Sequence, residues 1–483
     1  MPRQPPAGIP FALTSYRSGP LPISAQQLVN WYCQVQRQGM DAKSPAPLIQ
    51  PPGLVEFCTP GAGPIRAAIE MAGTLYVVSG QEFFSISSTG VETYLGGGIT
   101  PGLDVIGIAT SGTEIIVVDG VKGFSYKPAD GTPWAQISDV DFLPARTVTY
   151  LNGYFIFESA DTNQFFSSDA NNGRSYDALF FSSAETNPDD IELCLSHHQQ
   201  LYILGSNGFE IWQFNPNTSA FPWVRYPGAS GEIGTAGPRA ATTHKNNIYM
   251  VGSDWLFYRV DGVVPTPLSD PGVAAAWKGY GDISDVVVWG ITWGVQEWIF
   301  ITFPSAQKTW VFDATTGFFH ERESHESDMN PLYRWRGAVT ARAYGRQFIG
   351  DAFSNQVGYL DDATYTEYGN PIRSRAVAPA MHRKGEIVFM SSLELLMRAG
   401  VGTTSGQGSD PQVMLDWSED DGYTWEPYEM WASMGALGSR QTPILFTELG
   451  SFVTRTYRLT ITDPVPRVLL CAIPKAQGGL EYG

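Results

Sequence analysis

A hairpin-like pattern recurs through most of the chain and limits the folds open to it. Each copy is two apolar stretches separated by a turn, as in GTLYVVSGQEFFSIS at 73–87. The first apolar residues of successive copies lie 40, 39, 47, 47, 50 and 50 residues apart. These residues are Leu75, Ile115, Tyr154, Leu201, Ile248, Trp298 and Phe348.

A hairpin every 40 to 50 residues is typical of β-propeller blades, each of which is a four-stranded antiparallel sheet. A single sheet cannot bury both of its faces, whereas blades stacked around an axis bury each face against a neighbour. We therefore predict an all-β protein with a propeller over residues 59–365. Seven copies favour seven blades, and six blades result if the last hairpin belongs to a connector. A large β-sandwich with coincidental spacing is the alternative.

The segments that flank the repeat differ from it. Residues 1–58 are irregular and predict an N-terminal arm on the surface of its own propeller or of a neighbouring subunit. Within it, Ser24 and Gln27 have the spacing of a helix capping box, although the following LVNWY suits a strand equally well. After residue 366 longer segments alternate between polar and apolar residues, which predicts a C-terminal β-sandwich at 366–475. Residues 476–483 predict a loose tail.

Composition agrees with this architecture and excludes several classes of protein. The 51 glycines, 34 prolines and 13% aromatic residues fit many short strands joined by tight turns. Only 16% of the residues are charged, which is typical of a surface covered by partners, and a net charge of −18 argues against general nucleic-acid binding. The four cysteines form no C-x-x-C pair, so we expect reduced thiols, no zinc site and no cofactor. We also expect no signal peptide and no membrane insertion.

A short motif near the C-terminus resembles the Asp-box of sialidases and related sugar-active propellers. In WSEDDGYTWEP the spacing S-x-D-x-G-x-T-W is formed by Ser418, Asp420, Gly422, Thr424 and Trp425. A carboxylate can accept backbone hydrogen bonds, glycine adopts a positive φ, and tryptophan packs beneath a hairpin. Glycosidases need two carboxylates at the scissile bond, and no such pair can be assigned. We therefore predict a structural turn; the alternative is a carbohydrate-active or carbohydrate-binding propeller, acting as a depolymerase or receptor-binding tail protein.

Two histidine-containing stretches are candidate sites. HERESHESD offers His320, His325, Glu326 and Asp328 as metal ligands, but the spacing of its histidines fits neither one helix face nor one strand face. We expect a solvated polar loop there and no metal. His197-His198 has no assignable nucleophile or acid partner and is expected to begin a polar strand.

Basic residues gather in one part of this acidic chain and predict an electrostatic docking patch. A nucleic-acid contact is the alternative, although neither a recognition helix nor interleaved glycines accompany these residues. No phosphate-binding loop or catalytic motif is present in the sequence, so no catalytic residue and no enzyme activity are predicted. The members of this candidate patch are Arg334, Arg336, Arg342, Arg346, Arg373, Arg375, Arg383 and Lys384.

Several stretches in collinear order resemble one known family. They include LVNWYCQVQRQGMDAKSPAPLIQPPGLVEF at 28–57, GPIRAAIEMAGTLYVVSG at 63–80 and the C-terminal stretch at 416–465. They are similar to the packaged-DNA stabilisation proteins of short-tailed bacteriophages (podoviruses), which are tail hub or nozzle proteins. The sequence departs from the family at Cys33-Gln34-Val35, where a Pro-Glu-like pair is expected.

The resemblance implies a non-catalytic virion protein of the phage tail, assembled in the host bacterial cytoplasm. It implies a ring, a homohexamer, below the portal and its head-to-tail adaptor protein. Such a ring continues the DNA channel, retains packaged DNA and binds tail fibres or tailspikes, and sometimes a tail needle or plug. Genomic DNA would pass without sequence-specific binding, because an acidic lumen repels it. A tail adhesin that contacts the host directly is a further alternative.

Overall fold

The computed structural model describes residues 10–17, 21, 23–35, 44–185, 189–217, 221–476 and 481–482. Strands dominate, and the one α-helix in this described part, α1, covers Pro271–Lys278. Asp270 caps the start of α1 by accepting a hydrogen bond of 2.8 Å from the backbone N–H of Val273. The strands that precede the first repeat are β1 (Tyr16–Arg17), β2 (Ala25–Val29), β3 (Tyr32–Cys33), β4 (Leu48–Ile49) and β5 (Gly53–Cys58).

Five four-stranded antiparallel sheets follow, and in each of them successive strands pair in chain order. They form blades one to five of a propeller. Blade one contains β6 (Ile65–Met71), β7 (Thr74–Ser79), β8 (Glu82–Ile86) and β9 (Glu92–Gly97); blade two β10 (Gly107–Thr110), β11 (Ile115–Val118), β12 (Gly123–Tyr126) and β13 (Trp134–Gln136); blade three β14 (Val148–Leu151), β15 (Tyr154–Glu158), β16 (Gln164–Asp169) and β17 (Asn172–Ser183); blade four β18 (Ile191–His197), β19 (Gln200–Gly205), β20 (Phe209–Phe214) and β21 (Trp223–Gly231); blade five β22 (Ala241–His244), β23 (Asn247–Val251), β24 (Phe257–Asp261) and β25 (Val264–Pro267).

Two further blades complete the ring. Blade six contains β26 (Val287–Trp293), β27 (Gln296–Phe303), β28 (Lys308–Asp313) and β29 (Phe318–Arg322). Blade seven takes three strands from this part of the chain, β30 (Gly337–Ala343), β31 (Arg346–Asp351) and β32 (Val357–Asp361), and its fourth strand is β5. The seven predicted hairpins are the two middle strands of the seven blades, which confirms the propeller prediction.

The position of β5 corrects the predicted N-terminal arm. The sequence assigns Gly53–Cys58 to an arm that ends at residue 58, but β5 pairs antiparallel with β32, with Tyr359 opposite Val55. Hydrogen bonds between the two ends of the propeller close the ring, and such a closure joins residues about 300 positions apart. The sequence pattern around β5 does not indicate this pairing, because the partner strand β32 belongs to a distant repeat.

Apolar layers between the blades hold the ring together. Seven clusters of buried side chains each join two neighbouring blades, including blades seven and one. On β7, Leu75 and Val77 face blade seven while Tyr76 and Val78 face blade two. Because both faces of each blade are buried, the middle strands are continuously apolar instead of alternating.

Twelve strands follow the seventh blade. β33 and β34 stay with the sheet of blade seven, and the strands of the sandwich begin at Ser374, eight residues after the predicted boundary at 366. The twelve strands are β33 (Thr366–Glu367), β34 (Asn370–Pro371), β35 (Ser374–Val377), β36 (Met381–His382), β37 (Val388–Met397), β38 (Gln412–Ser418), β39 (Met430–Ser433), β40 (Ile444–Thr447), β41 (Ser451–Phe452), β42 (Thr454–Ile461), β43 (Val468–Ala476) and β44 (Glu481–Tyr482).

The sandwich consists of two sheets with one apolar core. One sheet contains β35, β42, β38 and β39, and the other contains β3, β4, β43, β37 and β40. Leu28, Trp31 and Leu48 of the N-terminal segment are buried in this core beside Leu415 and Leu459. The described part of the predicted arm that precedes β5 is therefore built into the sandwich and does not merely lie on a surface.

Strand β2 joins the two domains through one continuous sheet. Its Val29 pairs in parallel with Glu321 of β29, and its other edge pairs antiparallel with β35. Strand order from the propeller to the free edge of the sandwich is β26-β27-β28-β29-β2-β35-β42-β38-β39. Of the helix and the strand that the sequence leaves open after Ser24, the strand is correct, because the backbone of Ala25–Val29 is paired on both sides.

The C-terminal tail also differs from its prediction. Glu481–Tyr482 forms β44, which pairs with Met381–His382 of β36, so this part of the predicted loose tail is a strand. Backbone groups at the edge of a sheet recruit a further strand without needing a strong apolar pattern. Residues 477–480 and 483 lie outside the described residues.

Candidate functional site

The Asp-box residues form a closed network of hydrogen bonds at the end of β38. Ser418 Oγ donates to Asp420 Oδ1 at 2.7 Å and accepts from the backbone N–H of Gly422 at 2.8 Å. The Asp420 carboxylate accepts from the backbone N–H of Thr424 at 2.8 Å and from its hydroxyl at 2.6 Å. Both carboxylate oxygens are therefore engaged within the turn.

This network determines the chemistry open to Asp420. The hydrogen bonds from the side chain and backbone of Thr424, and then from Ser418, lower the pKa of Asp420 to about 2. A carboxylate that is ionised at neutral pH and saturated by its own turn has no proton to donate to a leaving group. Asp420 is suited to holding the turn and unsuited to acid catalysis.

Trp425 packs against both its own turn and the sheet. Its half-buried ring lies beside Gly422, where an added Cβ would be 3.8 Å from Cζ2 of Trp425, and under the guanidinium of Arg458, at 4.1 Å from the ring centroid. Arg458 also donates to Asp416 at 2.9 Å. Trp417, which precedes the motif, packs against the sandwich core instead. The Asp-box turn is therefore held against the long sheet through the contact between Trp425 and Arg458 of β42.

The candidate docking residues do not form one patch, because the stretch crosses the boundary between the two domains. Arg336 is buried, with its Nε 3.4 Å from Asp351 and its guanidinium 4.9 Å from the ring of Tyr368. Arg334 is half-buried and lies over the ring of Phe353 at 4.9 Å. These two arginines are internal to the propeller.

The other six residues divide between the junction of the domains, the loop that joins β36 to β37, and the β30–β31 hairpin. Arg373 binds Glu323 at the junction, where burial lowers the pKa of Arg375. Arg383 pairs with Glu386 at 3.2 Å and its neighbour Lys384 is exposed. Arg342 and Arg346 are exposed and flank the β30–β31 turn.

The histidine-rich stretch is largely buried, which corrects the predicted solvated loop. His320, Arg322 and His325 are each at most 2% exposed, and only Glu326 and the residues after it reach solvent. β29 is an internal strand of the long sheet, since β2 covers the edge that it would otherwise expose. Burial lowers the pKa of His320 to about 3 and of His325 to about 4, so both rings are neutral at pH 7.

Neither histidine stretch assembles a metal site in the described part of the chain, which holds no group of three or more His, Cys, Asp or Glu side chains placed around a metal. His197 ends β18 and His198 lies in the turn that follows it, with φ of 46°. All four cysteines are buried free thiols. The helix α1 is too short to cross a membrane, and the described residues contain no other.

A cavity of ≈ 790 Å³ opens on the axis of the propeller, at the ends of the blades where the inner strands begin. Residues from all seven blades line it, and their charges alternate around the ring. Arginines come from blades one, three, five and seven, and carboxylates from blades two, four and six, so that the alternation is interrupted where blade seven meets blade one. These residues are Arg66, Arg146, Arg239 and Arg334 against Asp104, Asp119, Glu192 and Asp285.

Two of these arginines connect blades through backbone carbonyls. Arg66 donates to the carbonyl of Thr100 at 2.7 Å and to that of Asp104 at 2.9 Å. Arg239, at the start of blade five, donates to the carbonyls of Val105 and Arg146, which precede blades two and three on the other side of the ring. Its side chain therefore crosses the propeller axis. Burial lowers the pKa of Arg239 to about 10, which leaves it charged at neutral pH.

Sequence reasoning missed these arginines, although a signal was present. Arg66 and Arg239 occur in nearly identical segments, GPIRAA at 63–68 and GPRAAT at 237–242, each of which opens a blade. A repeated arginine at the same point of a repeat indicates a repeated structural role.

Comparison with protein families decides the identity of this two-domain chain. The model described as "Bacteriophage P22 Gp10, beta-propeller" matches residues 24–365, and "Bacteriophage P22 Gp10, beta-sandwich" matches residues 374–473. The chain belongs to the bacteriophage P22 Gp10 family. This family consists of structural tail proteins that stabilise packaged DNA, so the chain is a virion component of a phage.

Wider comparisons give only distant likenesses for this P22 Gp10 family member. None of the curated proteins matches its sequence. A streptogramin B lyase shares 12% identity over 64% of this chain and 97% of its own, with a TM-score of 0.42. Virginiamycin B lyase from Staphylococcus aureus shares 10% over 64% and 97% (TM-score 0.40), and BamB from Moraxella catarrhalis 11% over 70% and 98% (0.39). Nothing about activity follows from likenesses at this level.

Proposed function

We propose that this protein is a subunit of the tail hub, in which copies form a ring below the portal and its head-to-tail adaptor and retain packaged DNA. The observation that carries the proposal is the collinear match of both P22 Gp10 domains, over 24–365 and 374–473. The resemblance at 28–57 and 416–465 supports a ring of six copies. Such a protein acts by closure and docking and makes or breaks no bond.

The continuous sheet supports a role in which the subunit resists mechanical force without its two domains separating. Nine strands run without interruption from β26 of blade six to β39 of the sandwich, and the core of the sandwich includes Leu28 and Trp31 from the N-terminal segment. Displacing one domain from the other would require breaking strand pairs and exposing apolar side chains. A subunit built in this way resists the internal pressure of a packaged genome better than two domains on a flexible linker.

Because the side chain of Arg239 crosses the propeller axis, this axis is not an open path for DNA. This side chain occupies the axis of the propeller and bonds to the far side of the ring. DNA that passes through the hub would therefore run along the axis of the assembled ring, outside each propeller. A net charge of −18 per subunit favours passage without adhesion, because like charges on wall and phosphate repel.

Docking of tail fibres or tailspikes, and of a tail needle or plug, completes the proposed role. The exposed loops of a rigid propeller suit several partners at once. The carbohydrate-active alternative gains nothing from the Asp-box, since both oxygens of Asp420 are used by Ser418 and Thr424.

Electron microscopy of the purified protein and of virions that lack it tests this function. We expect rings from the purified protein, and particles that lose their DNA when the protein is missing. A stable monomer, together with full heads that keep their DNA without it, would overturn the proposal.

A further inference from the structure

A closed ring of identical subunits joins two different surfaces of each copy, and the proposed hub rests on such a ring. Two exposed groups on this chain have complementary chemistry. One is an aromatic and acidic patch on the sandwich, and the other is a pair of arginines on blade seven. The following argument depends on the proposed function for the ring itself and deepens it by naming its contact.

The first group, the aromatic patch, lies in the segment that follows β38 and in the start of β39. It consists of Tyr423, Glu426, Tyr428, Glu429 and Trp431. Its aromatic side chains are 63%, 83% and 62% exposed, respectively. Large aromatic side chains held in water are typical of protein interfaces, where they supply much of the binding energy. Both glutamates are exposed, and neither is in an ion pair among the described residues.

The aromatic patch is held in place from both sides. The Asp-box turn fixes its beginning, and β39 fixes its end through pairing of Trp431 with Met414 on β38. Between them, the ring of Trp425 lies under the Arg458 guanidinium. A segment ordered before binding loses little conformational entropy when a partner arrives.

The second group, the arginine tip, consists of Arg342 and Arg346 on either side of the β30–β31 turn. The guanidinium of Arg346 lies 4.3 Å from the ring centroid of Tyr359, which orders it without neutralising its charge. The turn is anchored to blade one, since the Tyr344 hydroxyl donates to the carbonyl of Ile86 at 2.5 Å. Neither arginine is in a salt bridge within the described chain.

We propose that the aromatic patch of one copy binds the arginine tip of the next copy in the ring. Glu426 and Glu429 would pair with Arg342 and Arg346, and the exposed aromatic rings would cover the guanidinium planes. The occupant is a second copy, because both halves of the contact lie on one chain and on different domains. Such a contact is heterologous, as ring closure requires.

Charge reversal with rescue tests this contact in the full-length protein. Glu426→Lys/Glu429→Lys and Arg342→Glu/Arg346→Glu are each expected to raise the protein concentration for half-assembly at least about tenfold, because they place like charges together. In a 1:1 mixture, a ring of six in which the two variants alternate has opposite charges at every contact, so the mixture is expected to assemble although neither variant does so alone. The quadruple variant restores opposite charges at every contact and is expected to assemble. Mass photometry and negative-stain images give the readout.

A matched control for the glutamate reversal is Glu232→Lys/Asp261→Lys, which reverses two exposed carboxylates elsewhere and changes the net charge by the same amount as Glu426→Lys/Glu429→Lys. It is expected to assemble as the unchanged protein does. If the unchanged protein forms rings and either double reversal also forms them at the same concentration, the proposed contact is wrong while the hub proposal stands. Failure of the quadruple variant to assemble, with unaltered thermal unfolding, also overturns the contact. If the unchanged protein forms no ring, the hub proposal itself fails.

Discussion

Arg373 donates two hydrogen bonds, of 3.0 and 2.8 Å, to one carboxylate oxygen of Glu323. Glu323 directly follows blade six and is 8% exposed, whereas Arg373 directly precedes the first strand of the sandwich sheet. Nε2 of the buried His325 lies 3.4 Å from the same oxygen. The two domains are therefore joined by a largely buried ion pair beside the strand pairing of β2.

Arg373→Met tests this ion pair. Removing the guanidinium leaves the carboxylate of Glu323 buried without its partner, and we expect the free energy of unfolding to fall by about 2 kcal/mol. Arg373→Met/Glu323→Gln, which has no buried charge to compensate, should recover part of that loss. Urea unfolding of the three proteins gives the comparison. A double variant less stable than the single one would show that the ion pair is not the source of the loss.

Gly422→Ala tests the Asp-box turn as a structural element. Gly422 has φ of 93°, and a Cβ added there would lie 3.0 Å from Cβ of Ala25 on β2. Gly438, at φ of 86° with open space around it, provides the matched control. We expect Gly438→Ala to cost about 1 kcal/mol from backbone strain alone, and Gly422→Ala to cost about 2 kcal/mol. Equal losses of thermal stability in the two variants would contradict a turn packed against β2.

The parts of the fold that sequence predicts are those in which local pattern and burial coincide. Leu75 and its counterparts mark the blades, because a middle strand that is buried on both faces reads as an apolar run wherever it occurs. The Asp-box is likewise local, since Ser418, Asp420 and Thr424 bond to one another within seven residues. For such features the sequence carries both partners of the interaction.

The parts that sequence does not predict depend on distant partners. β5 has its partner strand about 300 residues away, and nothing within Gly53–Cys58 indicates blade seven. His320 and Arg322 look like loop residues by polarity, but β2 covers their strand and buries them. Arg334 and Arg342 lie only eight residues apart in the sequence, yet Arg334 faces the axial cavity and Arg342 faces solvent. Side-chain polarity alone did not distinguish these environments.

His320 is expected to make stability depend on pH. Burial and the nearby Arg322 lower the pKa of His320 to about 3, whereas in the unfolded chain it is close to 6.5. Below pH 6.5 the imidazole of His320 is therefore protonated in the unfolded chain and neutral in the folded chain. As a result, the free energy of unfolding decreases as the pH is lowered. At pH 5 the loss from this group is about 2 kcal/mol. In His320→Phe the midpoint of thermal unfolding should fall less between pH 7 and pH 5.

The exposed His198 supplies the control for that experiment. His198→Gln should keep the full dependence on pH, because it leaves the buried His320 and its surroundings unchanged. The comparison concerns the slope with pH and not the absolute midpoint, so a change in packing at residue 320 does not obscure it. A slope that His320→Phe leaves unchanged would contradict a neutral, buried ring.

Leu54→Ala tests whether β5 belongs to the propeller. Leu54 is 1% exposed and packs with Trp298 and Leu360 between blades six and seven. Truncation leaves a cavity in a layer that closes the ring, and we expect a loss of about 3 kcal/mol in the free energy of unfolding. Ile23→Ala, in the same N-terminal region but 68% exposed, should change stability by less than about 0.5 kcal/mol. If both variants unfold at the same urea concentration as the unchanged protein, β5 is not a structural strand of blade seven in solution.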